Sequence, residues 1–306
     1  MMLLIENNIC RYVAICLTVF FSNLFFFSCS SAKVGLPAIP KASIFLDEID
    51  RNNYIAGTQI QGAKLFRWDF SNNNQYVYSY FKKAIVNDFS TIFGTELEEN
   101  ATKIDLNAKL FVNSLENQTA DLILKDIETI VTYLSDDSNE EPAEKKISNT
   151  PPTVIASIDE GGVEIATKNN GALFASLLFP LPNRPIKLKE QITINKSIPI
   201  SGNNKIYTVA GDLEITLTDY VVFNGRYCAR FEVIADIKNP NKLDGNDKCA
   251  IKTKTVYYFD IENHCLVSGS SAVLQSIRYE DAATGQKIIN DNHFLILLKL
   301  ESAKRR

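Results

Sequence analysis

The sequence predicts a mainly β fold, a large curved antiparallel sheet (half-barrel or unclosed barrel) with one or two short helices. Three observations predict it. Apolar and polar residues alternate with period two over most of the chain from Ala63 onward. Several of these runs extend over 11–18 residues, well past the roughly 5–6 of an ordinary strand, and strands of that length must twist and coil. Helix-period runs are scarce.

The strands follow in order. Gln75 to Val86 places Tyr76, Tyr78 and Tyr80 on one face. Lys103 to Asn113 turns Ile104, Leu106, Ala108, Leu110 and Val112 one way and its polar residues the other. Ala120 to Leu134 carries Leu122, Leu124, Ile127 and Ile130, a spacing that also suits a helix. Later candidates are 190–200, 205–218, 220–237, 250–259, 265–279 and 286–300. Asn224-Gly225 is a strong hairpin dipeptide. Residues 260–264 and 281–285 form the next two connections.

The best helix candidate is Asn170 to Phe179, almost wholly apolar and ended by Pro180-Leu181-Pro182, so it should be buried against the concave face. A weaker one is Lys41 to Arg51, with Phe45, Leu46 and Ile49 at helical spacing. The polar stretch 135–152, SDDSNEEPAEKKISNTPP, has too little apolar surface to order itself. It reads as a long disordered loop within one body, 41–306. The alternative is a linker between two halves, 41–134 and 153–306.

The first thirty residues carry a targeting signal. Tyr12 to Phe27 is an uncharged run of 16 residues following Arg11, the layout of a signal peptide over 1–28. An uncleaved anchor is the competing reading, since a spanning helix needs about 20 apolar residues. Phe26-Phe27-Ser28-Cys29-Ser30 resembles the lipobox of bacterial lipoproteins. The resemblance covers this segment alone and departs from the pattern at Phe26. It implies cleavage before Cys29, lipidation (a diacylglyceryl group and a fatty acyl chain such as palmitate) at Cys29, and a tether over 29–40. It also implies a cell-envelope location held to a membrane by that lipid, the outer membrane with Ser30 in second place.

The architecture of long strands around an apolar helix is similar to the unclosed barrel of LolA-like envelope lipoproteins. Segments 180–188 and 256–263 resemble parts of bacterial lipoproteins of uncharacterised function. The resemblance implies a cell-envelope lipoprotein that takes a lipid, an apolar or an amphipathic ligand in a concave face. The alternative is an interaction module for an envelope protein partner, with Tyr76, Tyr78 and Tyr80 as a contact patch.

Composition excludes other classes. The chain has 306 residues, 45% hydrophobic and 22% charged, with net charge -4. Without a basic excess, nucleic acid is not an expected partner. Two histidines, His264 in a turn and His293 at an edge or loop, give no metal or triad case. No GxSxG, HExxH, P-loop or CxxC motif occurs, so no enzyme, cofactor or metal is expected. Asp244-Gly245-Asn246-Asp247 lacks the spacing of a calcium loop. Gly161-Gly162 reads as a turn. Cys228, Cys249 and Cys265 remain in the body, an odd number whose pairing is open, with Cys228 read as a small buried hydrophobe.

The lipid assignment is tested by Cys29→Ala. Metabolic labelling with palmitate should be lost and the unprocessed precursor should accumulate. Labelling that persists in this variant would reject the assignment.

Overall fold

The computed structural model describes residues 43–51, 54–71, 74–92, 95–134, 143–167, 179–202, 205–238, 247–280, 285 and 287–304. Residues 36–306 form one compact unit. Cys29, the expected signal peptide and tether, the apolar run up to Leu178, and residues 244–246 of the 238–248 loop lie outside the described residues.

Thirteen strands follow one another: β1 (Ile55–Ala56), β2 (Gln75–Ile92), β3 (Thr95–Ser114), β4 (Thr119–Leu134), β5 (Ala143–Thr150), β6 (Thr153–Asp159), β7 (Glu164–Thr167), β8 (Gln191–Gly202), β9 (Lys205–Phe223), β10 (Arg226–Lys238), β11 (Lys248–Asp260), β12 (Cys265–Glu280) and β13 (Lys287–Lys304). All pair antiparallel in one sheet, in the order β1-β9-β10-β11-β12-β13-β2-β3-β4-β6-β7. At one end β8 and β1 share the free side of β9, and at the other β5 and β6 share that of β4. The sheet is curved and does not close, as the alternating runs predict.

Local chemistry places each turn. Asn224 and Gly225 both take positive φ, 50° and 74°, the geometry that joins β9 to β10 without splaying them. The expected strand 220–237 is therefore two strands, with 220–223 completing β9. Leu122 and Leu124 face the core and so does Ile127, which strict alternation forbids. Opposite Ala108, β4 inserts one extra residue, with Asp126 at φ 52°. This bulge flips the parity and produces the helix-like spacing in a strand.

Other expectations are corrected. Within the supposed disordered loop 135–152, Ala143–Thr150 forms β5, because the exposed edge of β4 supplies the hydrogen-bond ladder that its own apolar content could not earn. The weak helix over 41–51 is only a 3-10 turn at Leu46–Glu48. Ile49 leaves helical geometry (ψ 140°) and Asp50 takes φ 55°, because their side chains are drawn onto the sheet.

β12 is buried along both faces from Cys265 to Tyr279. On the outer face, Phe45 packs with Ala272 and Leu295, and Ile49 with Tyr258 and Val267. Asp50 accepts hydrogen bonds from Arg230 and from the Tyr258 hydroxyl, while its own N–H donates to Ser270 Oγ at 3.1 Å. Tyr54 stacks its ring under the Arg230 guanidinium, 5.6 Å from the centroid. The chain then turns round the β9 edge through β1 and reaches the inner face.

Further along the outer face a polar cluster is closed on itself. Arg278 donates to Asp291 Oδ2 at 2.6 Å, and Ser276 donates to Asp291 Oδ1. His293 lies beside them inside β13, 5% exposed, which corrects its expected place at an edge or loop. Its Nδ1 accepts the Ile44 N–H at 3.2 Å. Burial lowers its pKa, opposed by Asp291.

Two measurements test this outer clasp. Asp50→Asn keeps a residue tolerant of positive φ but strips Arg230 of its counter-charge. Breaking such a partly buried pair should cost about 2–3 kcal/mol in urea unfolding. His293 is bound as the neutral ring with a folded pKa below 6.5, so its contribution is complete above pH 6.5 and is lost as pH falls towards the folded pKa. His293→Asn retains an acceptor for Ile44 without titrating there. Its thermal stability should therefore fall less than that of the wild type between pH 7 and pH 5.

Candidate ligand-binding site

The inner face holds the main core, and its composition changes along the strands. One end is aromatic. Residues 57–70 cross this end as a strap rather than a strand. Gly57 N–H donates to Tyr220 O at 2.9 Å, and Lys64 and Ile186 exchange backbone hydrogen bonds at 2.9 and 3.0 Å. Arg67 Nη1 donates to Pro182 O at 2.9 Å. Trp68 N–H donates to Glu160 O at 2.7 Å, and Asp69 N–H to His264 O at 3.0 Å. The strap thus binds β9, the 180–190 segment, the β6–β7 turn and the β11–β12 turn, which belong to distant parts of the open sheet.

Phe66, Trp68 and Phe70 alternate along it and all turn inward. Phe66 meets Phe231 edge-on at 5.0 Å, and Trp68 lies 5.7 Å from Phe70 and 6.0 Å from Phe259. Such contacts contribute about 0.5–1.5 kcal/mol each beyond buried area. The anchoring turns are themselves braced. Asp260 accepts the N–H groups of Glu262 and Asn263, both at 2.9 Å, and the Arg226 guanidinium at 2.7 Å. Burial pushes its carboxyl up, but these donors hold it below the usual carboxylate range. Gly161-Gly162 is the expected turn, held by Asp159 Oδ1, which accepts from Gly161 N–H and Val163 N–H at 2.9 and 2.8 Å. Gly162 has φ 71°, and a Cβ there would stand 3.5 Å from Trp68 Nε1.

Two adjoining hollows share Gly162. The first is a cleft of about 370 Å³ between the β6–β7 turn and β8, walled by Leu181, Ile194 and Val163, with Arg67, Glu160 and Lys196 at its sides. It lies where the two ends of the sheet approach under the strap. The second is a small apolar pocket of about 40 Å³, bounded by Trp68, Tyr78, Leu110, Phe179 and Leu298. Phe179 sits directly on Gly269, where a Cβ would overlap its ring, and Tyr257 donates to Pro180 O. The carbonyl and ring at 179–180 therefore lie against the concave face, as expected for the end of the apolar run.

Other sequence candidates resolve plainly. Tyr76, Tyr78 and Tyr80 are 3%, 1% and 6% exposed, so they line the core and form no contact patch. Burial raises the hydroxyl pKa of Tyr78 and Tyr80. His264 sits half-buried in its turn, its Nδ1 3.3 Å from Arg67 O. Cys228, Cys249 and Cys265 are buried thiols, and burial pushes each pKa up to about 12. They act as small core hydrophobes. Among the described residues no group of three His, Cys, Asp or Glu side chains could hold a metal ion, and no helix is long and apolar enough to cross a membrane. The strap and the pocket were not identified from sequence, although the alternation of Phe66, Trp68 and Phe70 signals an inward-facing segment.

The site thus belongs to an open, curved β-sheet with an aromatic end and an apolar concave wall. No known protein family matches the chain, and no curated protein is significantly similar. Among solved structures, one concerned with lipid–protein interactions in lipovitellin is similar to 78% of this chain, at 14% identity and a TM-score of 0.40. The match spans 26% of that protein's length. A likeness of this degree carries no functional inference.

Proposed function

We propose that this chain is a cell-envelope lipoprotein, anchored through lipid on Cys29, whose curved sheet takes an apolar or amphipathic ligand on its concave face. One observation carries the binding half of this reading. The apolar pocket beneath Trp68 adjoins the larger cleft at Gly162, so a hydrophobic wall and a partly charged opening meet where the sheet stays unclosed. A closed barrel would give no such lateral entry. Apolar hollows with a few polar groups at one side are the usual form of small-ligand sites. The anchoring half is supported by the Phe26–Ser30 segment and the uncharged run before it. Two acyl signals suffice for stable attachment, where one chain is marginal.

Trp68 is the chain's single tryptophan and lines the pocket, so ligand entry reports through its emission. Titration of the full chain with N-phenyl-1-naphthylamine, a neutral apolar fluorophore, should quench Trp68 by energy transfer and brighten the probe at micromolar concentrations. Mass spectrometry of protein taken from membranes should find a copurified amphiphile. Unchanged Trp68 emission together with lipid-free native protein would sink the binding reading.

A further inference from the structure

The small apolar pocket carries no charge among its described walls, yet two of them bring a neutral polar hydrogen. The Tyr78 hydroxyl is buried without a hydrogen-bond partner. The indole N–H of Trp68, a half-buried side chain, has no partner among the described residues either. A tryptophan drawn into a core usually finds one for that group. Its position is fixed from several sides. The backbone N–H of Trp68 is tied to Glu160 O, and its ring stacks on Phe70 and meets Tyr76 at 5.8 Å and Phe259 at 6.0 Å edge-on. An N–H held in this way is a donor placed in advance of any acceptor.

The indole edge faces Gly162. Among the described residues and apart from its chain neighbours, a Cβ at residue 162 would meet only Trp68 Nε1 at 3.5 Å and Cδ1 at 3.9 Å. The missing side chain therefore leaves the N–H edge uncovered on that side. Gly162 is also the one described residue that lines both hollows. The larger of them, about 370 Å³, has the size of a small-ligand site. Its charges are balanced and mostly committed. Arg67 and Lys196 stand against Asp159 and Glu160. The Arg67 guanidinium donates to the carbonyls of Phe66, Pro182 and Asn183 and lies 3.9 Å from Glu160. Asp159 holds the β6–β7 turn. An ionic ligand gains little from such a lining.

We propose that Trp68 is a ligand-binding residue whose indole N–H donates to the carbonyl oxygen of an uncharged acyl compound, a fatty ketone, ester or amide. The inference rests on the concave-face reading above and names its ligand class. A carbonyl oxygen only accepts and the indole N–H only donates, so the two match without a charge on either side. The aliphatic chain lies in the cleft against Leu181 and Ile194, where the space is. The small group beyond the carbonyl sits at the apolar pocket, whose roughly 40 Å³ admits little more than a methyl group. No part of the ligand enters the packed rows of the sheet.

The test uses 2-undecanone, undecane and undecanoate, which share a chain length and differ in the polar group. Trp68 is the single tryptophan, so the nitrogen-15-labelled full chain shows one indole N–H resonance. Saturating 2-undecanone should move it downfield, as a new hydrogen bond does, and undecane should not. Affinities follow from displacement of N-phenyl-1-naphthylamine, read by the emission of the probe. The ratio of 2-undecanone to undecane affinity should fall about 2- to 10-fold in Trp68→Phe, the range of one neutral hydrogen bond. Comparing ratios cancels the packing that the smaller ring loses. Undecanoate should bind no tighter than the ketone. An indole resonance that stays in place while the ketone displaces the probe overturns the Trp68 inference and leaves the concave-face reading standing. This measurement needs no variant, so it decides even if Trp68→Phe does not fold. A preference for undecanoate of about 10-fold or more that is lost in Lys196→Met, as expected for a charge-assisted bond, overturns the uncharged class. Failure of the probe and of all three ligands to bind the wild type overturns both readings.

Discussion

The structure depends on covering β12 from both sides. A single open sheet normally has one wet face, yet β12, next to its middle, is buried from Cys265 to Tyr279. One stretch of chain before β2 serves both faces of the sheet, and Phe179 covers β12 from the inner side at Gly269. Residues 43–50 lie on the outer face through Phe45, Ile49 and the Asp50 clasp, β1 turns the corner at the β9 edge, and Phe66 to Phe70 fill the inner end. The clasp and the aromatic strap are thus two ends of one band. Loosening one end frees the chain that positions the other.

That arrangement also accounts for where the candidate site lies. A sheet that does not close must protect two edges. Here the short β1 and β8 share one edge, and β5, β6 and β7 share the other. The strap ties these distant parts together at one end through backbone hydrogen bonds to Ile186 and Glu160. Apolar lining and lateral access come together on the concave face because the sheet is curved but left unsealed.

Much of the sheet was legible in the sequence. Period-two runs located the long strands, and Asn224-Gly225 located their clearest turn. What escaped has physical causes. β5 is too polar to identify alone, and its order comes from the edge of β4. The bulge at Asp126 is why β4, read as a strand, also carries a helix-like spacing. His293 looked peripheral because its neighbours Asn292 and Asn290 are polar, although a partner strand on each side encloses it. The candidate site was half legible. Parity places the three tyrosines on one face, but only the tertiary arrangement shows them buried.

The position of β13 has a consequence for how the molecule comes into being. It is the last of the described strands, yet it sits between β12 and β2 and, among the described residues, is the sole ladder joining strands β2–β7 to strands β8–β12. These two groups of strands cannot be knitted together until β13 has emerged, and most of the bond network is long in sequence separation, which slows assembly. Under the export that we propose for this chain, such late completion is an advantage. Premature collapse on the wrong side is discouraged by the very topology that makes the finished sheet continuous.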